Sequence, residues 1–319
     1  MKPERLYARS WDAQALVVAH PPVLRHTQKQ AVAGMVEAHA VPVGGTVTVS
    51  RWRAQPLPPL LNLVPTEPLL VPGTYDYAVD PGQIWHVNFA DPDLFAAYGS
   101  ALLAQDELQV LEHPTLGSVR EALLAEGLST RTVERDDPTP ILVTGVQRRC
   151  VLDTEPSAAR PFGLYGNRFA RASSAALSGA LRYPDPPVLT QLICIAAPVG
   201  AAEPYQRSEI ERILITAYAG FAAAAAHSDD EDVEIRTGFW GCGAFGGDRV
   251  MMVALQALAA CMAGVDRLVF YAFDDAGERD VAEGLQALDR VQVRIGEPTG
   301  AVLDRIVGLG RRWGTPDGN

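Results

Sequence analysis

The sequence predicts an α/β fold in which helices cover both faces of a central sheet, and three observations predict it. Segments 188–196 (VLTQLICIA) and 267–273 (RLVFYAF) are near-continuous apolar runs of strand length, the pattern of strands buried on both faces. In the C-terminal half these runs alternate with helical periodicity, the order of a sheet flanked by helices. A glycine-rich loop, 237–248 (TGFWGCGAFGGD), joins a strand to a helix, a placement where such folds present backbone N–H groups to a ligand.

The individual elements follow in chain order. Residues 23–40 (LRHTQKQAVAGMVEAHAV) read as a helix, and Gly44-Gly45 then leads into a β-like run, 46–51. Residues 54–82 are proline-rich and read as a connector. A strand is expected over 84–89, and helices over 102–111 and 116–126, with His113-Pro114 as the break between them. A strand over 140–146 precedes a long irregular stretch, 147–185. The strand 188–196 is followed by a helix over 208–226, in which Ser208 and Glu211 have capping-box spacing. A short strand, 233–236, enters the glycine-rich loop, and a helix over 249–263 leaves it. After the strand 267–273, the pattern predicts a helix over 280–288, a strand over 291–294 and a helix over 299–312.

Composition excludes several classes of function. The 319 residues include 27 Lys+Arg and 38 Asp+Glu, a formal net charge of −11, which is the wrong sign for coating a nucleic-acid backbone. A local basic cleft for one phosphate group remains compatible with it. The four cysteines (Cys150, Cys194, Cys242, Cys261) form no CxxC pair and have no zinc-like spacing with histidine, so reduced thiols and no metal are expected. The N-terminal MKPERLYARSWDAQ has no apolar signal-peptide core, and the apolar run 215–227 is shorter than the roughly 18–20 residues that span a bilayer. A cytoplasmic protein without membrane association is expected.

The glycine-rich loop is physically an anion cradle. Glycines let backbone approach a phosphate, and the N–H groups at the helix start point toward it. Gly241-Cys-Gly243-Ala-Phe-Gly246 also fits the dinucleotide fingerprint GxGxxG, and Asp266 stands about 20 residues on. A dinucleotide-binding domain is disfavoured, because only residues 249–319 remain for its further βαβ units. A glycine-rich turn without a ligand is the plainer alternative.

Beyond these physical features, TGFWGCGAFGGD closely resembles the TGNWGCGAFGGD loop of the poly(ADP-ribose) glycohydrolases. Val87-Asn88-Phe89-Ala90-Asp91 resembles that family's VDFAN strand end. Gln105-Asp106-Glu107 resembles its catalytic Gln-Glu-Glu at the same ungapped distance. Val143-Thr144-Gly145 and 217–221 (AYAGF) resemble further family segments in matching order. The similarity runs from about residue 84 to 275. It implies a macrodomain-like three-layer α/β/α fold with a mixed central sheet over 81–319. Residues 1–80 would then be an N-terminal extension of helix, hairpin and proline-rich connector packed on that domain.

The resemblance also implies a site. Glu107 matches the general acid/base that protonates the departing ribose oxygen and then activates water, and Asp106 matches its neighbouring acid, one methylene shorter. Gly241, Cys242, Gly243, Ala244, Phe245, Gly246 and Gly247 are expected to wrap a diphosphate. Phe273 matches the aromatic that stacks on adenine, and Tyr165 a tyrosine on the adenosine or diphosphate side. Asn88, Asp91, Gln105 and Phe239 complete the expected ligand-binding set. The implied ligand is ADP-ribose or an ADP-ribosylated substrate, with no cofactor. A binding module without catalysis is the alternative.

Three departures from the family pattern bear on activity. The family's glycine triplet is Phe95-Ala96-Ala97 here, so side chains are expected where the family has only backbone. Asp91 replaces an Asn and adds a carboxylate near Asp106 and Glu107, which is expected to raise at least one pKa. Phe239 replaces the Asn of the family loop. Together these changes rebuild the expected distal-ribose side and spare the phosphate side.

Overall fold

The computed structural model describes residues 3–39, 43–75, 83–200, 203–228 and 232–317. Among them, eight strands share one sheet: β1 (Glu4–Asp12), β2 (Thr46–Arg53), β3 (Glu67–Val71), β4 (Gln83–Phe89), β5 (Ile141–Arg148), β6 (Val188–Ile195), β7 (Val233–Thr237) and β8 (Arg267–Tyr271). Their spatial order is β1-β2-β5-β6-β4-β7-β8-β3. The three pairings from β1 to β6 are antiparallel, and the four from β6 to β3 are parallel. The sheet is therefore mixed, and its parallel half carries the glycine-rich loop.

The helices are α1 (Ala13–Ala19), α2 (Thr27–Ala38), α3 (Gln105–Glu112), α4 (Thr115–Ala125), α5 (Ser174–Ala180), α6 (Arg207–His227), α7 (Arg249–Ala263), α8 (Asp275–Val291) and α9 (Thr299–Val307). Side chains alternate across a strand, so the near-continuous apolar run of β6 serves two cores at once. Leu192 and Cys194 pack with Leu16 of α1, Val110 of α3 and Leu116 and Leu123 of α4. Ile193 and Ile195 pack on the other face with Leu214 of α6, Met252 and Leu255 of α7, Val281 of α8 and Leu303 of α9. The fold is the three-layer α/β/α arrangement with a mixed sheet. A smaller core joins α2 and α5 through Val32, Leu103, Phe169 and Leu177. No helix among the described residues is long and apolar enough to cross a membrane.

The first 80 residues depart from the expected extension. They supply β1, β2 and β3, three strands of the one sheet, and β2 pairs directly with β5 from Thr48↔Thr144 to Arg51↔Ile141. The expected boundary at residue 80 lies outside the described residues. The connector expected over 54–82 contains β3, parallel to β8 from Glu67↔Arg267 to Val71↔Tyr271. Pro68 obscured it, yet β3 is an edge strand, where a missing N–H is tolerated.

Two local expectations also fail. Helix α6 begins one residue early: Gln206 is its N-cap, and the Gln206 N–H donates to Glu209 at 2.7 Å. Glu209 lies three beyond Gln206 as Glu211 lies three beyond Ser208, so spacing alone admits both caps. The strand expected over 291–294 is absent, because α8 continues to the buried Val291 and Gln292 then turns left-handed at φ 51°.

Candidate functional site

Strands β4, β7 and β8 are parallel neighbours, so their C-terminal ends open on the same edge of the sheet. Crevices of α/β sheets form there. A cavity of about 1050 Å³ lies at this edge, lined by Asp91, Gln105, Asp106 and Glu107 beyond β4, by the glycine-rich loop beyond β7, and by Phe273 beyond β8. Tyr165, from the segment before α5, closes another side.

The loop is held by its own backbone. The Gly247 N–H donates to the Gly241 carbonyl at 2.8 Å, and the Gly246 N–H to that of Gly243 at 3.1 Å. Gly241 has φ +77°, and a Cβ there would lie 2.6 Å from the Ala197 Cβ, so only glycine fits without rearrangement. Trp240 anchors the turn through Nε1, which donates to the Ile195 carbonyl at 2.9 Å. Asp248 caps α7 by accepting the Met251 N–H at 2.8 Å, so the N-terminus of a fifteen-residue helix begins where the loop ends. Gly241, Cys242, Gly243, Ala244, Phe245 and Gly247 all line the cavity, whereas Gly246 does not.

Helix α3 delivers the acids. Gln105 Oε1 accepts the Phe89 N–H at 2.8 Å, and its Nε2 donates to the Val87 carbonyl at 3.1 Å, which fastens the helix start to the end of β4. Asn88 does not reach the cavity. Its Nδ2 donates to Asp106 Oδ1 at 2.9 Å and to Gln109 Oε1 at 2.7 Å, a wholly buried network behind the cavity wall. Burial, then the adjacent Glu107 carboxylate, pushes the Asp106 pKa upward; the Asn88 hydrogen bond opposes this and Asp91 adds to it. Glu107 is also raised, first by burial, with Lys29 and the backbone N–H groups opposing and Asp91 adding. The rise expected from Asp91 has the right sign, but desolvation is its larger cause.

The replaced glycine triplet behaves differently from the sequence expectation. Phe95 adopts φ +55°, the left-handed region that a glycine would occupy at no cost. Its ring does not enter the cavity. It is fully buried beside Leu94, Tyr98 and Leu116, and of the three residues only Ala97 lines the cavity. Burial of the ring offsets the strained backbone. The loop is further pinned by Asp93, which accepts from Arg120 Nη2 at 2.8 Å and from Thr130 Oγ1.

At the opposite end, Phe273 stands at φ +62° and is 48% exposed, with the Phe239 ring 6.4 Å away. The Arg249 guanidinium lies over the Phe239 ring, 4.5 Å from its centroid, and pairs with Asp280 at 3.2 Å. Asp266 accepts the Val233 N–H at 2.7 Å, at the strand ends remote from the cavity. That position removes the ribose contact that a dinucleotide fingerprint would require.

Residues 187–280 match the family model described as poly(ADP-ribose) glycohydrolase (PARG), macro domain fold. Over that segment, from β6 to the first turns of α8, the chain is similar to this family. The poly(ADP-ribose) glycohydrolase of Thermomonospora curvata shares its fold with a TM-score of 0.51 at 16% identity, covering 82% of this chain and 100% of that one. The Thermomonospora curvata protein bound to the inhibitor ADP-HPD gives 0.43 at 16% identity, over 88% and 84% of the two chains. A mutant of the Deinococcus radiodurans poly(ADP-ribose) glycohydrolase in complex with ADP-ribose gives 0.44 at 12%, over 90% and 95%.

Sequence motifs mark neither Lys29 nor the cavity-lining Thr315 and Asp317. Lys29 of α2 is fully buried under α3, with no hydrogen-bond partner for Nζ among the described residues and the Phe169 ring 5.6 Å away. Thr315 and Asp317 line the glycine-loop side. An amphipathic helix conceals a buried lysine in the sequence, and residues 314–317 carry no motif.

Proposed function

We propose that this protein binds ADP-ribose in the cavity and hydrolyses an ADP-ribosyl O- or N-glycosidic bond, with Glu107 as general acid/base. The observation that carries the reading is that one cavity is lined both by the glycine-rich loop and by the Glu107 carboxylate. On this reading the diphosphate lies along the glycine-rich loop and the adenine against the accessible Phe273 ring, with Tyr165 beside them. The distal ribose then faces Asp106 and Glu107.

Glycoside cleavage leaves an electron-deficient C1″ and a leaving oxygen or nitrogen that needs a proton. Glu107, protonated more readily than an ordinary glutamate, donates it as the C1″ bond breaks. The resulting carboxylate takes a proton from the water that adds to C1″, which restores the acid. Asp106, oriented by Asn88, helps hold the ribose side. Ala97, the residue of the rebuilt turn that lines the cavity, favours a mono-ADP-ribosylated acceptor over the polymer.

A second reading, a binding module without catalysis, is favoured by the hydrogen bond that holds Glu107 Oε2 on the Ala104 N–H at 3.0 Å. One experiment separates the two. Release of ADP-ribose from a mono-ADP-ribosylated protein is expected from the wild type and not from Glu107→Gln, while both bind ADP-ribose in calorimetry. Binding without release by the wild type selects the module, and no binding by either removes both readings.

A further inference from the structure

Lys29 is a charge at a place where the packing calls for an apolar side chain. Val32 and Val36 follow it on the same face of α2, the face turned to Leu103, Leu111 and Phe169 in the smaller core. None of its surface is exposed, and Nζ has neither a hydrogen-bond partner nor an ion pair among the described residues. The Phe169 ring stands 5.6 Å from the ammonium. A buried cation left unpaired costs stability that a methionine of similar length would not. Rules of burial are broken in this way chiefly at functional sites.

The carboxylates that act on Lys29 belong to the first turn of α3, Glu107 and then Asp106. Both line the cavity with Asp91, whereas Lys29 does not, so it meets the acids from behind the cavity wall. Asp106 Oδ2 is itself buried without a hydrogen-bond partner among the described residues. The other charged groups around these helices are engaged elsewhere or turned outward. Glu112, at the end of α3, pairs with Arg148 at 2.8 Å. In the segment before α5, burial pushes the Tyr165 hydroxyl up to about 12, Arg168 donates to the Phe162 carbonyl at 2.7 Å, and Arg171 is exposed. His26 stands at the N-cap of α2, and α5 carries no titratable side chain.

Resting on the reading of Glu107 as acid/base, we propose that Lys29 is a positioning residue for the reaction, its buried ammonium the counter-charge that lets Glu107 alternate between donating a proton and receiving one. Glu107 must be protonated as the C1″ bond breaks and ionised as water adds. Burial favours the first form and Asp91 adds to it, while Lys29 is the largest influence favouring the second.

The test follows the Glu107 carboxyl itself. Full-length wild type, Lys29→Met and Lys29→Gln carry carbon-13 in their glutamate carboxyls and are titrated by NMR, with Glu107→Gln assigning the signal. Release of ADP-ribose from a mono-ADP-ribosylated protein is timed across the same pH range. In both Lys29 variants the Glu107 midpoint is expected to rise by on the order of one pH unit, and the alkaline limb of the release profile to move up with it. Adding Asp91→Asn to Lys29→Met is expected to bring the midpoint down again. A packing role alone would change the melting temperature and leave the midpoint where it is. A midpoint unmoved in both variants, with a wild type that releases ADP-ribose, overturns the inference and leaves the proposed function standing. A midpoint that moves in Lys29→Met and not in Lys29→Gln also overturns it, because both substitutions remove the charge. A wild type that releases no ADP-ribose at any pH overturns the proposed function, and the role of Lys29 in it, whatever the midpoint does.

Discussion

The Glu107 carboxylate accepts the backbone N–H of Ala104, three residues before it, at 3.0 Å. Glu107 is thus the N3 half of a capping box whose other half is missing, since Ala104 has no side-chain acceptor to return the bond. The proposed catalytic group therefore also ends the helix that carries it. Removing it tests two things at once unless the cap is preserved.

Glu107→Gln keeps an oxygen for the Ala104 N–H, and Glu107→Ala does not. Both are expected to abolish ADP-ribose release. Thermal melts are expected to rank Glu107→Ala below Glu107→Gln by about 1 kcal/mol, the usual worth of a cap. Equal stabilities would show that the Ala104 contact contributes nothing to α3.

Asp106 makes stability depend on pH. Its folded-state pKa is raised by burial and by Glu107, so the fold favours its protonated form. Its stabilising contribution is then complete below the ordinary carboxylate range, near pH 4, and is lost as pH rises through the raised folded value. Asp106→Asn removes the charge and keeps an oxygen for Asn88 Nδ2. The variant is expected to gain on the wild type as pH increases from about 4 toward neutrality and above. Parallel denaturation curves across that range would contradict the burial of a charged carboxylate.

Lys29 carries the opposite sign. Burial lowers its pKa to about 8, with Glu107 and then Asp106 opposing. Its ammonium form is disfavoured in the fold, so the cost is full below about pH 8 and fades as pH rises toward the unfolded value near 10.5. Lys29→Met, of similar length and apolar, is expected to stabilise the protein at pH 7 by up to roughly 3 kcal/mol. By pH 10 most of that gain is expected to be gone, as read in urea denaturation at the two pH values. Loss of the Lys29 charge also removes the largest opposing influence on Glu107, so its carboxyl is expected to titrate higher in the variant.

Much of this was legible in the sequence because the signals were local. The β6 run, the glycine-rich loop and the α7 periodicity each report on residues adjacent in the chain, and α7 appeared with its expected bounds, Arg249–Ala263. The failures came where partners are distant. Pro68 reads as a breaker until β8 is known to lie on only one side of β3. Asn88 reads as a ligand contact until Asp106 and Gln109 are seen to engage its amide. Lys29 reads as a solvated helix face, because nothing nearby in sequence announces that α3 covers it.

Phe95 gives the sharpest test of how the rebuilt turn is held. Its backbone sits at φ +55°, which costs a non-glycine residue roughly 1–2 kcal/mol, while its ring is fully buried among Leu94, Tyr98 and Leu116. Phe95→Ala discards the ring and keeps the strain, so a loss of about 3–5 kcal/mol is expected. Phe95→Gly discards the ring and releases the strain. Glycine ordinarily destabilises relative to alanine, but here Phe95→Gly is expected to be the more stable of the two by about 1 kcal/mol. Chemical denaturation of both variants reads the order directly. The ordinary ranking, alanine above glycine, would mean that the turn has relaxed out of the left-handed region and that the Phe95 ring had been holding it there.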